Sequence, residues 1–387
     1  MRRIAVSLAA AGLVLSGCSG GEAVPGRPSA APAPPSGLPS TVPSTAPSPA
    51  ASPSGDGQES TGSSSSGRDE GLREAMAAVS GSGPADLYFE YGAPGHWREL
   101  GVLTARGAEE GPWASSVLYG MSDLSTAPLL AERTGIDPFA ADRAITIGHQ
   151  PDRSVRLDGG VDAGTVRRRL TERGAERAKI GGRDGLVLAR DRAAGSVDRL
   201  RDIGVLNLLN KVVVTGSTIA MGTASGPLTA AFGGPDSLAG SPSHAAVADC
   251  LGGNLVNAVI LREKESAAVA LYAVGLRRPV FPEDTPVNVV CVLPRDGFAA
   301  EVKKTFTGRL TTTAKTLQGE SYGKYAYAIE HDEVASGGFT ALRATLRIAP
   351  GGRADLAHRM LADGNLEAAA DPASPLPDIG GSFESTP

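Results

Sequence analysis

Apolar side chains recur at helical spacing in several stretches of the chain. The clearest case lies between residues 297 and 310, where one apolar side chain per turn predicts an amphipathic helix carrying Phe298, Val302, Phe306 and Leu310 on one face. A second helix is predicted over residues 162–173, with Asp162 as its N-terminal cap. Further helices are predicted over residues 127–134, 197–209, 227–232 and 353–362.

Other stretches alternate between apolar and polar residues, as strands with one buried face do. Leu342, Ala344, Leu346 and Ile348 alternate with Arg343, Thr345 and Arg347. By the same signal or by short apolar runs, strands are predicted over residues 86–92, 145–157, 185–189, 211–223 (a pair turning at Gly216), 254–261, 266–274, 286–293 and 325–330. Trp97 and Trp113 are expected in the core.

The predicted elements repeat in order along the chain. Strand, helix, strand, strand, helix occurs once before residue 275 and once after it, which suggests a duplication. We therefore predict an α+β fold, with mostly antiparallel sheets covered by helices, in two similar lobes at residues 84–275 and 276–366. Residues 367–387 are predicted to form a flexible C-terminal tail.

The N-terminus carries a different pattern, typical of export. Arg2 and Arg3 precede an apolar run from Ile4 to Leu15. A membrane-spanning helix needs about 20 apolar residues, so this run is too short to span but fits the apolar region of a signal peptide at residues 1–17.

The run ends in Leu15-Ser16-Gly17-Cys18, which resembles the lipobox of bacterial lipoproteins. The resemblance covers only the first twenty or so residues. It implies that the signal is cut before Cys18, that this cysteine carries a diacylglycerol and fatty acid such as palmitate, and that the protein is anchored to the cell membrane, facing outside the cytoplasm. A conventional secretory signal with an incidental cysteine is the alternative. The export route, general secretory or twin-arginine, stays open.

Residues 18–83 are predicted to be the lipidated N-terminus followed by a disordered tether. Proline recurs among Ser, Thr and Ala, and Ser63 to Ser66 form a serine run. With few large apolar side chains, such a segment cannot offset the entropy of ordering its backbone. The same composition suits O-glycosylation, but a bare spacer explains it equally well.

Charge excludes one class of partner. The formal net charge is −5, and removing residues 1–17, which carry Arg2 and Arg3 but no acid, changes it to −7. A mildly acidic body argues against nucleic acid as a partner.

Two cysteines remain beyond Cys18, and we predict that Cys250 and Cys291 form a disulfide, because an exported protein meets an oxidising compartment. Two unpaired buried thiols are the alternative. In the chain-entropy model, a bridge closing about 40 residues contributes roughly 4 kcal/mol.

No pattern of metal ligands or catalytic residues stands out, and no cofactor is predicted. The five histidines, His96, His149, His244, His331 and His358, are too far apart in sequence for a zinc motif. Asp152, Asp158 and Asp162 lack the spacing of a calcium loop. Ser321-Tyr322-Gly323-Lys324 matches the Ser-x-x-Lys motif of penicillin-recognising enzymes, but it is predicted in a turn and lacks the accompanying motifs.

The hypothesis that best fits these observations is a non-enzymatic, membrane-anchored envelope protein that binds a protein or a wall component. The alternatives are a carrier of a small or lipidic ligand, and an envelope hydrolase. The groove between the two predicted lobes should discriminate: a deep apolar cavity favours the carrier, convergent polar groups with shifted pKa values favour the hydrolase, and a filled interface favours partner binding.

Overall fold

The computed structural model describes residues 71–374, apart from residues 106, 125–126, 194–202, 206 and 266. The predicted signal, Cys18 and most of the predicted tether lie outside the described residues, as do residues 375–387 and most of the helix predicted over 197–209. Where that predicted helix would end, the chain forms a short 3-10 turn at Leu208–Asn210.

The described residues form helices and strands in mixed order. The helices are α1 (Gly71–Ala77), α2 (Pro84–Leu87), α3 (Pro94–Glu99), α4 (Leu130–Thr134), α5 (Ala163–Glu172), α6 (Ser225–Ala230), α7 (Pro242–Leu251), α8 (Ala299–Arg309), α9 (Leu356–Ala362) and α10 (Asn365–Ala370). The strands are β1 (Tyr88–Gly92), β2 (Leu103–Thr104), β3 (Gly107–Ala108), β4 (Arg143–Ile147), β5 (Ser154–Asp158), β6 (Glu176–Ile180), β7 (Arg183–Val187), β8 (Lys211–Thr215), β9 (Thr218–Gly222), β10 (Leu255–Arg262), β11 (Val269–Arg277), β12 (Val287–Pro294), β13 (Ala326–Ser336) and β14 (Phe339–Ile348).

Twelve of these strands form one sheet in the order β13-β14-β12-β11-β10-β1-β4-β5-β9-β8-β7-β6. Every neighbouring pair in it is antiparallel. The two remaining strands, β2 and β3, form a small separate hairpin. The predicted class, helices over mostly antiparallel sheet, is confirmed at this level.

The strand order contains a topological repeat. In the first half β1, β4 and β5 lie side by side, α5 follows, and the hairpin β8–β9 returns to place β9 beside β5. In the second half β10, β11 and β12 lie side by side, α8 follows, and the hairpin β13–β14 returns to place β14 beside β12. The first half has an additional hairpin, β6–β7.

The two halves meet through β1 and β10 at the centre of the sheet. These strands pair from Tyr88 with Leu261 to Gly92 with Asn257. The described residues therefore do not confirm two separate lobes. The boundary predicted between residues 275 and 276 falls inside β11, which pairs with strands on both sides.

The core lies on both faces of the sheet, as β12 illustrates. Val290 and Val292 share a core with Val302 and Phe306 of α8, together with residues of α9 and α10. The alternate residues of β12, including Cys291, share a larger core with α7 and with the first half of the sheet. A strand covered on both faces reads as a continuous apolar run, as Val289 to Leu293 does.

Both ends of the folded body differ from the prediction. The structure places α1 inside the segment assigned to the tether, because Leu72, Met76 and Val79 recur at helical spacing and are buried. At the other end α10 extends to Ala370, beyond the predicted start of the tail. The folded part therefore extends at least from Gly71 to Ala370.

Three local predictions also need correction. Residues 145–157 form two strands, because Gly148 adopts a positive φ of 74° in the turn that joins β4 to β5. Residues 84–87 form the short helix α2, which leaves Leu87 52% exposed. Phe298 precedes the first residue of α8 and is 43% exposed, so only the other three residues of the predicted apolar face are buried.

Candidate functional site

The two cysteines of the folded body lie at disulfide distance, with their sulfur atoms 2.04 Å apart. Cys250 is on α7 and Cys291 on β12, and neither side chain has measurable exposure. Their contact agrees with the predicted pairing and ties α7 to the sheet. The bridge is structural, because buried, bonded sulfurs cannot act as nucleophiles.

The acidic residues singled out from the sequence are separated by their own partners. Asp152 binds Arg192 at 2.7 and 2.8 Å, and Asp162 accepts a hydrogen bond from the Thr165 backbone nitrogen and so caps α5, as predicted. Within the described ranges no three His, Cys, Asp or Glu side chains are grouped so as to hold a metal ion.

The Ser-x-x-Lys match does not form a catalytic pair. The Ser321 hydroxyl donates to the carbonyl oxygen of Thr312 at 2.6 Å and caps a short 3-10 turn. Lys324 forms an ion pair with Glu320. Each side chain is thus engaged by another group, and the hydroxyl is not presented to the lysine.

A serine and a histidine that sequence reasoning did not connect lie beside Asp86. Ser241 Oγ lies 3.0 Å from His244 Nδ1, and His244 Nε2 lies 3.2 Å from the carbonyl oxygen of Asp86. The Asp86 carboxylate binds Arg262 at 2.7 Å. The sequence could have suggested only the contact between Ser241 and His244, because Ser241 directly precedes α7 and His244 lies in the first turn of that helix.

This group does not have the geometry of a hydrolase triad. A triad holds the serine and the carboxylate on opposite ring nitrogens, whereas the Asp86 carboxylate lies on the Nδ1 side of His244, at 3.8 Å, as Ser241 does. Burial, aided by Arg262, lowers the pKa of His244 to about 4, which makes it a weak base at neutral pH. The group stabilises the start of α7.

The junction of the two halves carries a buried carboxylate on β1. Glu90 is 1% exposed and lies opposite Val259 of β10. It accepts hydrogen bonds from the Gly120 backbone nitrogen at 2.7 Å, the Ser122 hydroxyl at 2.8 Å and the Tyr88 hydroxyl at 2.8 Å. Both carboxylate oxygens are therefore occupied.

Arg153 extends this network towards the surface. It lies 3.9 Å from Glu90 and 2.7 Å from the carboxylate of Asp123. Burial raises the pKa of Asp123, and Arg153 opposes that rise. Burial and Arg153 both lower the pKa of His149, whose ring packs 4.5 Å from that of Tyr88.

Close backbone packing lets residues 113–124 cover the centre of the sheet. A Cβ atom at Gly120 would lie 2.5 Å from the Ala144 carbonyl oxygen, and one at Gly92 would lie 1.8 Å from that of Tyr119. Only glycine fits at these two positions. Asn257 of β10 also donates to the Ser116 carbonyl oxygen at 2.9 Å, which fastens the segment to the second half.

Helix α9 closes the same junction from the second half. The His358 ring packs 4.0 Å from the Tyr119 ring. Asn288 of β12 donates to the Ala354 carbonyl oxygen and accepts from the Ala357 nitrogen, both at 2.8 Å, and so fixes the start of α9. The junction is therefore filled by side chains that contact one another, although several of its polar groups have shifted pKa values.

A surface cleft of about 470 Å³ lies beside the Gly92 end of β1. It is lined by Gly71, Glu74, Tyr91, Ala93, Gly95, His96, Glu99, Asp142, Arg143, Asp158, Gly159, Ser217 and Arg278. We call it the carboxylate cleft. Arg143 binds Asp158 at 2.9 Å and Glu74 at 3.1 Å, and Arg98 binds Asp142 at 2.7 Å.

The electrostatics of the carboxylate cleft are those of paired charges. Burial alone would raise the pKa of Asp158, but Arg156, Thr218 and Arg143 together hold it below its usual value. Asp158 is thus a stable anion, unsuited to accept or donate a proton at neutral pH. The cleft can bind charged groups, and burial and Arg278 lower the pKa of His96, whose Nε2 lies 3.0 Å from the Pro279 carbonyl oxygen.

No protein-family model, curated protein or solved structure matches the chain. Among the helices of the described part of the chain, none has the length and hydropathy needed to cross a membrane.

Proposed function

We propose that this chain is a lipid-anchored protein of the cell envelope, held on the outer side of the cell membrane through Cys18, which acts by binding a partner. The partner is a protein or a wall component. The main support is the motif Leu15-Ser16-Gly17-Cys18. Basic residues, an apolar run, small residues and a cysteine follow one another here in the order that a lipoprotein signal requires. Two or three acyl chains, at about 0.8 kcal/mol per buried methylene, hold a protein on a bilayer durably.

The filled junction supports partner binding over ligand carriage. A carrier needs an apolar cavity, and the centre of the sheet is instead occupied by Glu90, residues 113–124 and the Tyr119–His358 ring contact. Among the described residues, the buried Glu90 carboxylate at the junction is occupied by Gly120, Ser122 and Tyr88. A hydrolase is less well supported, because Ser241 and Ser321 each serve a local structural role.

We also propose that the two halves are copies of one unit. The repeated order of three adjacent strands, a helix and a returning hairpin supports this duplication. Its proposed copies are β1–β9 and β10–β14, which differ from the bounds predicted from the sequence.

Substitution of Cys18 tests the anchor. Without its lipid the Cys18→Ala protein should leave the membrane fraction and appear in the medium, whereas the Ser19→Ala control should stay with the membrane until detergent is added. Intact mass of the wild-type protein should show Cys18 as first residue with a diacylglycerol. Wild-type protein released without detergent would instead identify a conventional secretory signal.

Crosslinking in intact cells tests partner binding. The anchored protein should form adducts of discrete mass with a reproducible neighbour after treatment with an amine-reactive crosslinker. If the only adducts were diffuse and differed between repeats, the proposal would be contradicted.

A further inference from the structure

The loop between β11 and β12, residues 278–286, displays two adjacent apolar side chains at its tip. Val280 is 66% exposed and Phe281 is 58% exposed. Burying apolar side chains is favourable, so leaving both in water forgoes stabilisation.

The tip is held in one conformation by its own backbone contacts. The Asp284 carboxylate accepts hydrogen bonds from the backbone nitrogens of Val280, at 2.6 Å, and Phe281, at 2.9 Å. The Asp284 nitrogen donates to the Phe281 carbonyl oxygen at 3.1 Å. None of these bonds uses the side chains of Val280 or Phe281, so polar residues there would preserve the turn.

The body of the protein also supports the loop from below. The buried Trp113 donates from Nε1 to the Pro282 carbonyl oxygen at 2.7 Å, and His96 Nε2 lies 3.0 Å from the Pro279 carbonyl oxygen. A loop fixed in this way loses little conformational entropy when its tip is buried by a partner. Isolated exposed apolar residues are common, but two neighbours on a fixed tip resemble the anchor of an interface.

The surroundings of the tip are acidic. His96 and Arg278 line the carboxylate cleft, so the loop forms its rim. Glu99 in the cleft and Glu283 in the loop are exposed, whereas Glu74 and Asp142 are already paired with Arg143 and Arg98. This arrangement favours a basic partner and opposes an anionic membrane surface.

We propose that the 278–286 loop and the carboxylate cleft form a docking surface for a protein that offers an apolar pocket beside lysine or arginine side chains. Val280 and Phe281 enter the pocket, and the exposed carboxylates meet the basic groups. The inference rests on the proposed partner-binding function and deepens it.

The test places a photocrosslinking phenylalanine analogue at position 281 of the anchored, full-length protein in intact cells. The matched control position is Leu87, which is 52% exposed and lies beside Tyr88, at the opposite end of the strands. We expect a discrete protein adduct from position 281 only, with the linked peptide in an apolar pocket bordered by basic residues.

Binding of that purified protein to the Cys18→Ala chain should then weaken at least tenfold with Val280→Ser/Phe281→Ser. It should also weaken with Glu99→Lys and remain unchanged with Leu87→Ser. If adducts formed from other positions but not from position 281, the proposed docking surface would be wrong while partner binding would stand. If no position gave an adduct, both proposals would be wrong.

Vesicles of phosphatidylglycerol and phosphatidylcholine distinguish a lipid surface from a protein. The Cys18→Ala chain should not sediment with them. Sedimentation that Phe281→Ser abolishes would overturn the proposal in favour of a membrane contact.

Discussion

His358 shows how a buried residue without hydrogen bonds constrains stability. Neither ring nitrogen has a hydrogen-bond partner among the described residues, and the ring packs on Tyr119. Burial lowers the pKa of His358 from its ordinary 6.5 to about 3, despite the opposing effect of Asp355. Between these two pKa values the imidazole is therefore neutral in the folded protein, whereas it binds a proton in the unfolded chain.

This difference predicts a loss of stability in acid. Between about pH 6.5 and about pH 3 the unfolded state binds more protons than the folded state at His358, so the free energy of unfolding falls as the pH falls. His358→Phe keeps a ring against Tyr119 and removes the proton. We expect its free energy of unfolding, from urea titrations between about pH 6 and about pH 4, to have a slope smaller by up to about 1.4 kcal/mol per pH unit. His244 still contributes to the remaining slope, and an unchanged slope would contradict a neutral His358.

The sequence predicted those residues whose role depends on near neighbours. Asp162 caps α5 through Thr165, three residues away, and Trp97 is buried beside Trp113, 5.6 Å between ring centroids. It could not predict Glu90 or Asp86 as partners of Gly120 or Arg262, because those contacts depend on where distant segments meet. The 278–286 loop was not predicted as a binding surface because its apolar residues, Val280 and Phe281, lie in a short segment without periodicity.

At the scale of elements, the contact between α7 and β12 is covalent. Cys250 and Cys291 are 41 residues apart in sequence. In the Cys18→Ala background, replacing both with alanine should lower the free energy of unfolding by roughly 2–4 kcal/mol, since the unfolded chain regains the entropy of an open loop. Urea titration measures this loss. Reductant should produce a similar loss in the parent and no change in the double variant; an effect of equal size in both would contradict the bridge.

Elements with a periodic pattern were predictable, whereas their arrangement was not. The hairpin β8–β9 and helices α5 and α8 follow from local signals in the sequence. The placement of β1 between β4 and β10 does not, because pairing partners far apart in sequence leave no periodic signal. The two-lobe prediction is not confirmed for that reason: the repeat exists in the order of the described strands, but both halves join one sheet.

For the whole molecule, the continuous sheet predicts cooperative unfolding. The larger core contains Val155 from the first half and Cys291 from the second, and β1 pairs with β10 over five residues. Calorimetry of the Cys18→Ala chain should therefore show one transition, with calorimetric and van't Hoff enthalpies that agree. Two resolved transitions, each with part of the enthalpy, would indicate independent lobes.

The central position of β1 also affects the order in which the strand pairs of the sheet can form. Ile147, the partner of Phe89, follows it by 58 residues, whereas Leu261, the partner of Tyr88, follows it by 173. A chain delivered N-terminus first can assemble β1 with β4 early, but the other edge of β1 must wait for β10. During that interval the nascent first half carries an open strand edge, the kind of surface on which chains aggregate. The middle of the sheet is thus completed only after the whole first half has been delivered.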